Sequence, residues 1–86
     1  MNGKNKTLKL VIMQKYMIKN ITYHDNGNIF EEIFYKDGKK DGECTSFYEN
    51  GEKELVGYFK KGNPTGIWMH WDKDGDYDWI NMDLNY

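Results

Sequence analysis

Residues 34–51, FYKDGKKDGECTSFYENG, decide the fold, because residues 58–75, YFKKGNPTGIWMHWDKDG, repeat their pattern. A shift of 24 residues superposes three pairs of glycines: Gly38 and Gly62, Gly42 and Gly66, and Gly51 and Gly75. The same shift superposes three pairs of aromatic residues: Phe34 and Tyr58, Tyr35 and Phe59, and Phe47 and Trp71. A fixed period with glycines in register predicts a repeat architecture in which each unit packs mainly against its neighbours.

Two classes of turn are expected within each period. Asn-Gly or Asp-Gly pairs occur at 26–27, 50–51 and 74–75, and a further pair at 2–3 is too close to the first residue to form a full turn. Such pairs favour type I′ hairpin turns, because both central residues of that turn need positive φ. Residues 37–42 and 61–66 are polar stretches bracketed by glycines, and we predict a loop in each of them.

The stretches between these turns are typical of β-strands, and no capped apolar run at helical spacing interrupts them. We predict an all-β fold, an antiparallel meander of about seven strands in which hairpin repeats stack into a single elongated twisted sheet. We predict one domain over residues 1–86 with about three and a half repeats, degenerate over 1–20 and clearer over 21–82. The predicted strands are residues 6–13, 17–24, 28–36, 43–49, 52–60, 67–72 and 77–82.

Composition and charge argue against several classes of function. All twelve basic residues are lysine, and the absence of arginine disfavours a dedicated nucleic-acid reader. The apolar runs are too short for a membrane span, which disfavours a membrane protein. The single cysteine, Cys44, cannot form an intramolecular disulfide and is compatible with a reducing compartment, so we expect a cytoplasmic protein.

Residues 57–68, GYFKKGNPTGIW, resemble a MORN-type repeat, and most closely its variant class. That class has the pattern glycine, any residue, aromatic, two residues, glycine, three residues, glycine, any residue, tryptophan. Residues 71–75, WDKDG, match the ending of the motif. The preceding copy departs from the pattern at Ile33, where the class has glycine, and at Cys44, where it has tryptophan. The earliest copy keeps Tyr23, Asn26 and Gly27, so the resemblance covers roughly residues 20–80.

The resemblance implies a fold more specifically than a function. Each repeat of that family is similar to a β-hairpin, and the hairpins stack into a curved ribbon with an aromatic-lined groove. The variant class includes bacterial proteins labelled as antitoxins of toxin–antitoxin pairs, and other members are scaffolds or membrane-linked proteins. For this chain the resemblance therefore implies a binding or inhibitory role toward a partner protein.

Two groups of side chains are of the types that carry chemistry. Alternating carboxylates over residues 72–78, DKDGDYD, are of the type that binds calcium, but the glycine stands fourth rather than sixth as in an EF-hand loop. His24, His70 and Cys44 supply too few ligands for a structural zinc site, and Cys44 occupies the tryptophan slot of its repeat, where a small buried residue is expected. We therefore predict no catalytic residue, no metal and no cofactor.

The aromatic residues divide into a predicted core and a predicted binding face. Tyr35, Phe59 and Trp68 are expected to form the core of a thin sheet. Because alternate residues of a strand point to opposite faces, other rings must remain exposed, and exposed rings carry much interface energy. The residues 72–86 carry a net charge of −4, which could dock into a basic cleft. The candidate partner-binding residues are Tyr48, Tyr58, Trp71, Asp72, Asp74, Asp76 and Asp78.

The leading hypothesis is thus a non-enzymatic module that binds, and by resemblance neutralises, a partner protein such as a toxin or effector. One alternative is a structural module that associates with itself through its terminal strands, which would make the protein a homo-oligomer. Another is a binder of lipid surfaces through residues 1–20, which carry a net charge of +5.

Overall fold

The computed structural model of the protein describes residues 17–84. The described chain folds into one sheet of six antiparallel strands, and the strands lie in the sheet in the order in which they follow one another in the sequence. A short 3₁₀ helix, Met82–Leu84, follows the last strand. The strands are β1 Ile18–Tyr23, β2 Ile29–Lys36, β3 Lys39–Phe47, β4 Lys53–Lys60, β5 Asn63–Trp71 and β6 Tyr77–Asn81.

This architecture confirms the predicted all-β meander. Six of the predicted strands correspond to β1 to β6, and the seventh, residues 6–13, lies outside the described residues. The described chain measures 50 × 36 × 15 Å along its principal axes, so the sheet is one layer thick.

The predicted loops at residues 37–42 and 61–66 are wrong. Asp37 and Gly38 both have positive φ, at 52° and 81°, and they form a two-residue turn after which β3 begins at once. Lys61 and Gly62 repeat this geometry, with φ of 51° and 89°. Positive φ at both central residues is the requirement of a type I′ turn, so the type I′ turns of this chain lie at 37–38 and 61–62. The polar residues that follow each turn belong to β3 and β5.

The second glycine of each bracketed stretch lies inside a strand. Gly42 has a φ of 104° and Gly66 a φ of 70°, and each lies where the pairing register with the preceding strand shifts. A β-bulge at such a point needs a residue that tolerates positive φ, which explains a glycine within a strand. The two glycines four residues apart in each repeat therefore mark a turn followed by a bulge.

The turns at 26–27, 50–51 and 74–75 lie where the sequence places them but are not of the predicted type I′. In each of them the glycine alone has positive φ, 93° at Gly27, 92° at Gly51 and 88° at Gly75. The N–H of Gly27 donates to the carbonyl of His24 at 3.0 Å, and the N–H of His24 donates to the carbonyl of Asn28 at 2.8 Å. This is a type I turn followed by a left-handed glycine, the usual three-residue hairpin loop.

The core lies on one face of the sheet, which we call the core face. It is built from a row of residues that face one another across the strands and that we call the central row. The cross-strand partners are Asn20 and Ile33, Ile33 and Cys44, Cys44 and Gly57, and Trp68 and Ile80. Ile33, Cys44 and Trp68 are the buried apolar residues of the described chain, at 2%, 3% and 8% exposure.

The indole ring of Trp68 closes the central row by lying over Gly57. A Cβ atom added to Gly57 would stand 2.0 Å from Cδ2 of the ring and 2.2 Å from Cε2. Glycine is therefore needed here for close approach rather than for an unusual φ. Phe59 meets the same indole edge-on at a centroid distance of 5.1 Å, a favoured aromatic geometry.

The two departures of the earlier copy from the family pattern are neighbours in the central row. Ile33 takes the place that Gly57 has one period later, and Cys44 takes the place of Trp68. Ile33 and Cys44 are directly paired across β2 and β3, and both are buried. A branched aliphatic side chain beside a small thiol thus fills the space that a tryptophan over a glycine fills in the next hairpin.

We predict that Gly57→Ala destabilises the protein by about 2–3 kcal/mol, because the new methyl group collides with the Trp68 ring and overpacks the core. Urea unfolding followed by circular dichroism measures the change. In a Trp68→Leu background the same substitution should be neutral or slightly stabilising, since alanine suits a strand better than glycine once the ring is gone. Equal costs in both backgrounds would contradict the proposed contact.

We predict that Ile33→Gly and Cys44→Trp each destabilise the protein and that the double variant recovers at least about 1 kcal/mol relative to the sum of the two. The first change leaves a cavity and the second a clash, whereas together they recreate the pair formed by Gly57 and Trp68. A double-mutant cycle of unfolding free energies gives the coupling. Strictly additive costs would show that the two positions do not share one space.

Candidate functional site

The face opposite the core, which we call the outer face, carries a group of exposed apolar side chains on β4, β5 and β6. The registers place Met69 beside Trp79 and Trp71 beside Tyr77, and strand alternation puts Ile67 on the same face as these residues. Four side chains of this face are more than half exposed: Tyr58 at 53%, Ile67 at 56%, Trp79 at 61% and Tyr77 at 63%. We call these four residues the outer patch.

The outer patch runs diagonally across three strands. Tyr58 pairs with Thr65, and Ile67 lies two residues further along β5. Ile67 in turn pairs with Asn81, two residues from Trp79 on β6. Diagonal neighbours on an antiparallel sheet lie within reach of large side chains, so the register allows these four side chains to form one surface. Because its residues lie on strands, the backbone ladder fixes where their side chains leave the sheet.

The structure places the candidate rings Tyr48 and Trp71 in a different setting from Tyr58. Both are half-buried, and the hydroxyl of Tyr48 donates to the backbone carbonyl of Trp71 at 2.7 Å. Desolvation raises the pKa of Tyr48, and the charges of Glu54 and Asp72 add to the effect. Tyr48 thus uses its polar end inside the molecule, to join two successive turns.

A second bond of the same kind joins the preceding pair of turns. His24, which stands 24 residues before Tyr48, donates from Nε2 to the carbonyl of Phe47 at 2.7 Å. Asn28 adds a bond from its side-chain amide to the carbonyl of Glu49 at 2.6 Å. Sequence reasoning considered His24 as a zinc ligand and missed this role. The available signal was its position, one residue before a three-residue turn, as for Tyr48.

The acidic segment beyond Trp71 is partly committed to its own turn. Oδ1 of Asp72 accepts hydrogen bonds from the backbone N–H groups of Asp74 at 2.9 Å and of Asp76 at 3.0 Å. The side chains of Asp74 and Asp76 remain exposed, and Asp78 lies 4.0 Å from Nδ1 of His70 on the core face. Asp72 therefore has a clear structural role, while the other three carboxylates are available at the surface.

The structure gives the metal and catalytic candidates no shared site. Among residues 17–84, no three His, Cys, Asp or Glu side chains are grouped so that they could hold a metal ion. Cys44 is buried in the central row, as predicted, and burial raises the pKa of its thiol, with a smaller contribution from Glu31 and an opposing one from Lys40. A reactive cysteine needs the opposite environment, exposed and electropositive.

Sequence reasoning missed three members of the outer patch, which are Ile67, Tyr77 and Trp79. The sequence placed them in strands, but the exposure of a strand residue depends on which strands flank it and what covers the face. One signal was available, since Tyr77 and Trp79 belong to the last predicted strand of a meander, which has a neighbour on one side.

No helix within residues 17–84 is both long and apolar enough to cross a membrane.

We predict that the Cys44 thiol reacts with a disulfide reagent such as Ellman's reagent about tenfold or more slowly than an exposed thiol, since reaction requires local opening of the sheet. The matched control is the double variant Cys44→Ser with Tyr23→Cys, which puts the thiol on an exposed position of β1. Rapid reaction of Cys44 in the native protein would contradict its placement in the core. Both thiols should react at the same rate in urea.

In comparisons with known proteins, no protein-family model, no curated protein and no solved structure matches the chain.

Proposed function

We propose that this chain is a non-enzymatic protein-binding module and that the outer patch is the centre of its binding surface. The observation that carries the proposal is the outer patch itself, four large apolar side chains on one face of β4 to β6, each more than half exposed. Scattered exposed apolar residues need no explanation, but contiguous ones mark interaction surfaces.

The chemistry of the patch suits a protein partner. Tryptophan and tyrosine are the residues most often responsible for binding energy at protein interfaces, and Tyr58, Tyr77 and Trp79 supply three such rings. Their placement on paired strands limits the conformational entropy lost on binding, because the backbone is already ordered. A rigid face of this kind fits a partner whose own surface offers an apolar pocket.

Charge defines the partner further. The turn between β5 and β6 carries the exposed carboxylates of Asp74 and Asp76 just before Tyr77 of the outer patch, and Asp78 adds a third exposed carboxylate on the core face of β6. Complementary charge speeds association and orients docking, so the preferred partner has a basic surface next to its apolar pocket. A toxin or effector that acts on nucleic acid would have such a cleft, and the resemblance to the antitoxin-like MORN variants points to the same class of partner.

The remaining candidate residues have supporting roles in this proposal. Trp71 lies beside Tyr77 at the border of the patch, and Tyr48 and Asp72 fix the turns that flank it. A cytoplasmic location belongs to the proposal as well, because the buried free thiol of Cys44 is compatible with a reducing compartment. Neutralisation of the partner, rather than its recruitment, rests on the family resemblance alone.

The second candidate function is a structural module that associates with itself. Its supporting observation is that β1 and β6 are the outermost strands of the described sheet. Unpaired strand edges are templates for pairing with another chain. Light scattering at increasing protein concentration separates the two functions, since a monomer at high concentration removes the self-associating module.

We predict that a tagged chain recovers a stoichiometric protein partner from the native host and that Tyr58→Ala and Trp79→Ala each weaken its binding by about tenfold or more. The matched control is Tyr23→Ala, because Tyr23 is exposed to 61%, the same as Trp79, but lies on β1 at the opposite edge. Affinity purification with mass spectrometry identifies the partner, and calorimetry gives the affinities. Absence of any stoichiometric partner, or equal binding by all variants, would overturn the proposal.

A further inference from the structure

The strand β6 has a neighbour on one side only within residues 17–84. In an antiparallel ladder, alternate residues of an edge strand direct their N–H and C=O groups away from the sheet. On β6 these groups face outward beside Trp79 and Tyr77, which are exposed on the outer face. The sheet therefore presents a row of backbone donors and acceptors next to the outer patch.

This edge lacks three of the devices that protect sheet edges from pairing, which are lysine, proline and a bulge. The protection that it has is its length of five residues and the charge of Asp78. The sequence of β6 is YDWIN, with neither lysine nor proline, and all five of its residues pair with β5 without a shift of register. The other edge differs, because β1 carries Lys19 and has an irregularity between Thr22 and Tyr23.

The charge on β6 selects what can pair with it. The side chain of Asp78 is 86% exposed, and Asp76 stands immediately before the strand. A second copy of this edge, or a nucleic acid, would bring like charge against these carboxylates, which is destabilising for directly opposed residues. A basic residue opposite Asp78 would be favoured, as would apolar residues opposite Trp79 and Ile80.

We propose that β6 is a site of β-strand addition, at which an extended basic and apolar segment of the partner protein pairs as a further antiparallel strand. The inference rests on the proposed function and names its mode of binding. Backbone hydrogen bonds along β6 supply affinity in this mode, and side-chain pairing with Asp78, Trp79 and Ile80 supplies specificity. The outer patch then contacts the body of the partner while β6 holds one of its strands.

The test uses a synthetic peptide, acetyl-Thr-Val-Val-Lys-Val-Lys-amide, whose residues would stand opposite Asn81 back to Asp76 in an antiparallel pair. Titration into the isotopically labelled chain, followed by NMR, should shift the amide signals of β6 and slow their hydrogen exchange. A peptide methylated on alternate backbone nitrogens, on the face that pairs, should bind about tenfold more weakly, because it lacks two or three hydrogen bonds.

Two variants separate charge at the edge from charge elsewhere. Asp78→Lys should abolish binding of the peptide, whereas Asp25→Lys, an equally drastic change in the exposed first turn, should leave it unchanged. A peptide with glutamate in place of lysine should fail to bind the native chain. Circular dichroism of both variants should show an intact sheet, since both side chains are exposed.

Several results would overturn strand addition at β6. They are no binding of the peptide, equal binding of its methylated form, shifts centred on β1, and a dimer of the chain paired through β6. Failure of the proposed function gives a different result: no partner would lose affinity on Tyr58→Ala. Tyr58 lies two strands away from the edge, so this variant tests the outer patch and not the pairing at β6. A partner that depends on Tyr58 and Trp79 but is indifferent to Asp78→Lys would leave the function standing and remove the strand addition.

Discussion

The contact between the Trp68 ring and the α-carbon of Gly57 is the interaction on which the sheet depends. Within residues 17–84 the sheet is one layer thick, and Met82 of the 3₁₀ helix packs against its core. No second sheet is described on the core face, so the side chains of the strands must lie flat to exclude water there. The large ring of Trp68 covers the neighbouring strand, because Gly57 on that strand has no Cβ atom to hold the ring away. In the next hairpin toward the N-terminus, Ile33 and Cys44 exclude water from the same position with side chains of intermediate and small size.

Much of the fold could be predicted from the sequence. Glycines in register at 24-residue spacing gave the meander, and Trp68 and Cys44 were expected in the core, where they lie. The type of each turn was harder, because an Asn-Gly pair fits both a type I′ turn and the end of a type I turn. Asn26 and Asn50 accept hydrogen bonds from the N–H groups two residues on, which favours the second geometry.

Less of the candidate site could be predicted. Strand alternation indicates which residues share a face, but it does not state which face is covered or which strands are flanked. Trp71 and Tyr48 therefore looked as suitable for binding as Tyr58, although the Tyr48 hydroxyl is bound to the Trp71 carbonyl. Trp79 and Tyr77 owe their exposure to their place on the last described strand, a property of the whole sheet.

The thin architecture and the proposed role are connected. Because the core occupies one face, the other face is free to hold exposed rings on an ordered backbone, and the described meander ends in an edge strand beside them. The central row matters more in so thin a fold, since the three buried apolar side chains of the described residues all lie there and the other apolar side chains are half-buried or exposed.

The most direct test of this view is the proton chemical shift of the Gly57 α-hydrogens, measured by NMR on the native chain. A ring that lies over the α-carbon must shift at least one of these protons far upfield of the ordinary glycine position, and Trp68→Leu must remove that shift. Ordinary shifts for Gly57 in the folded protein, unaffected by Trp68→Leu, would contradict the account.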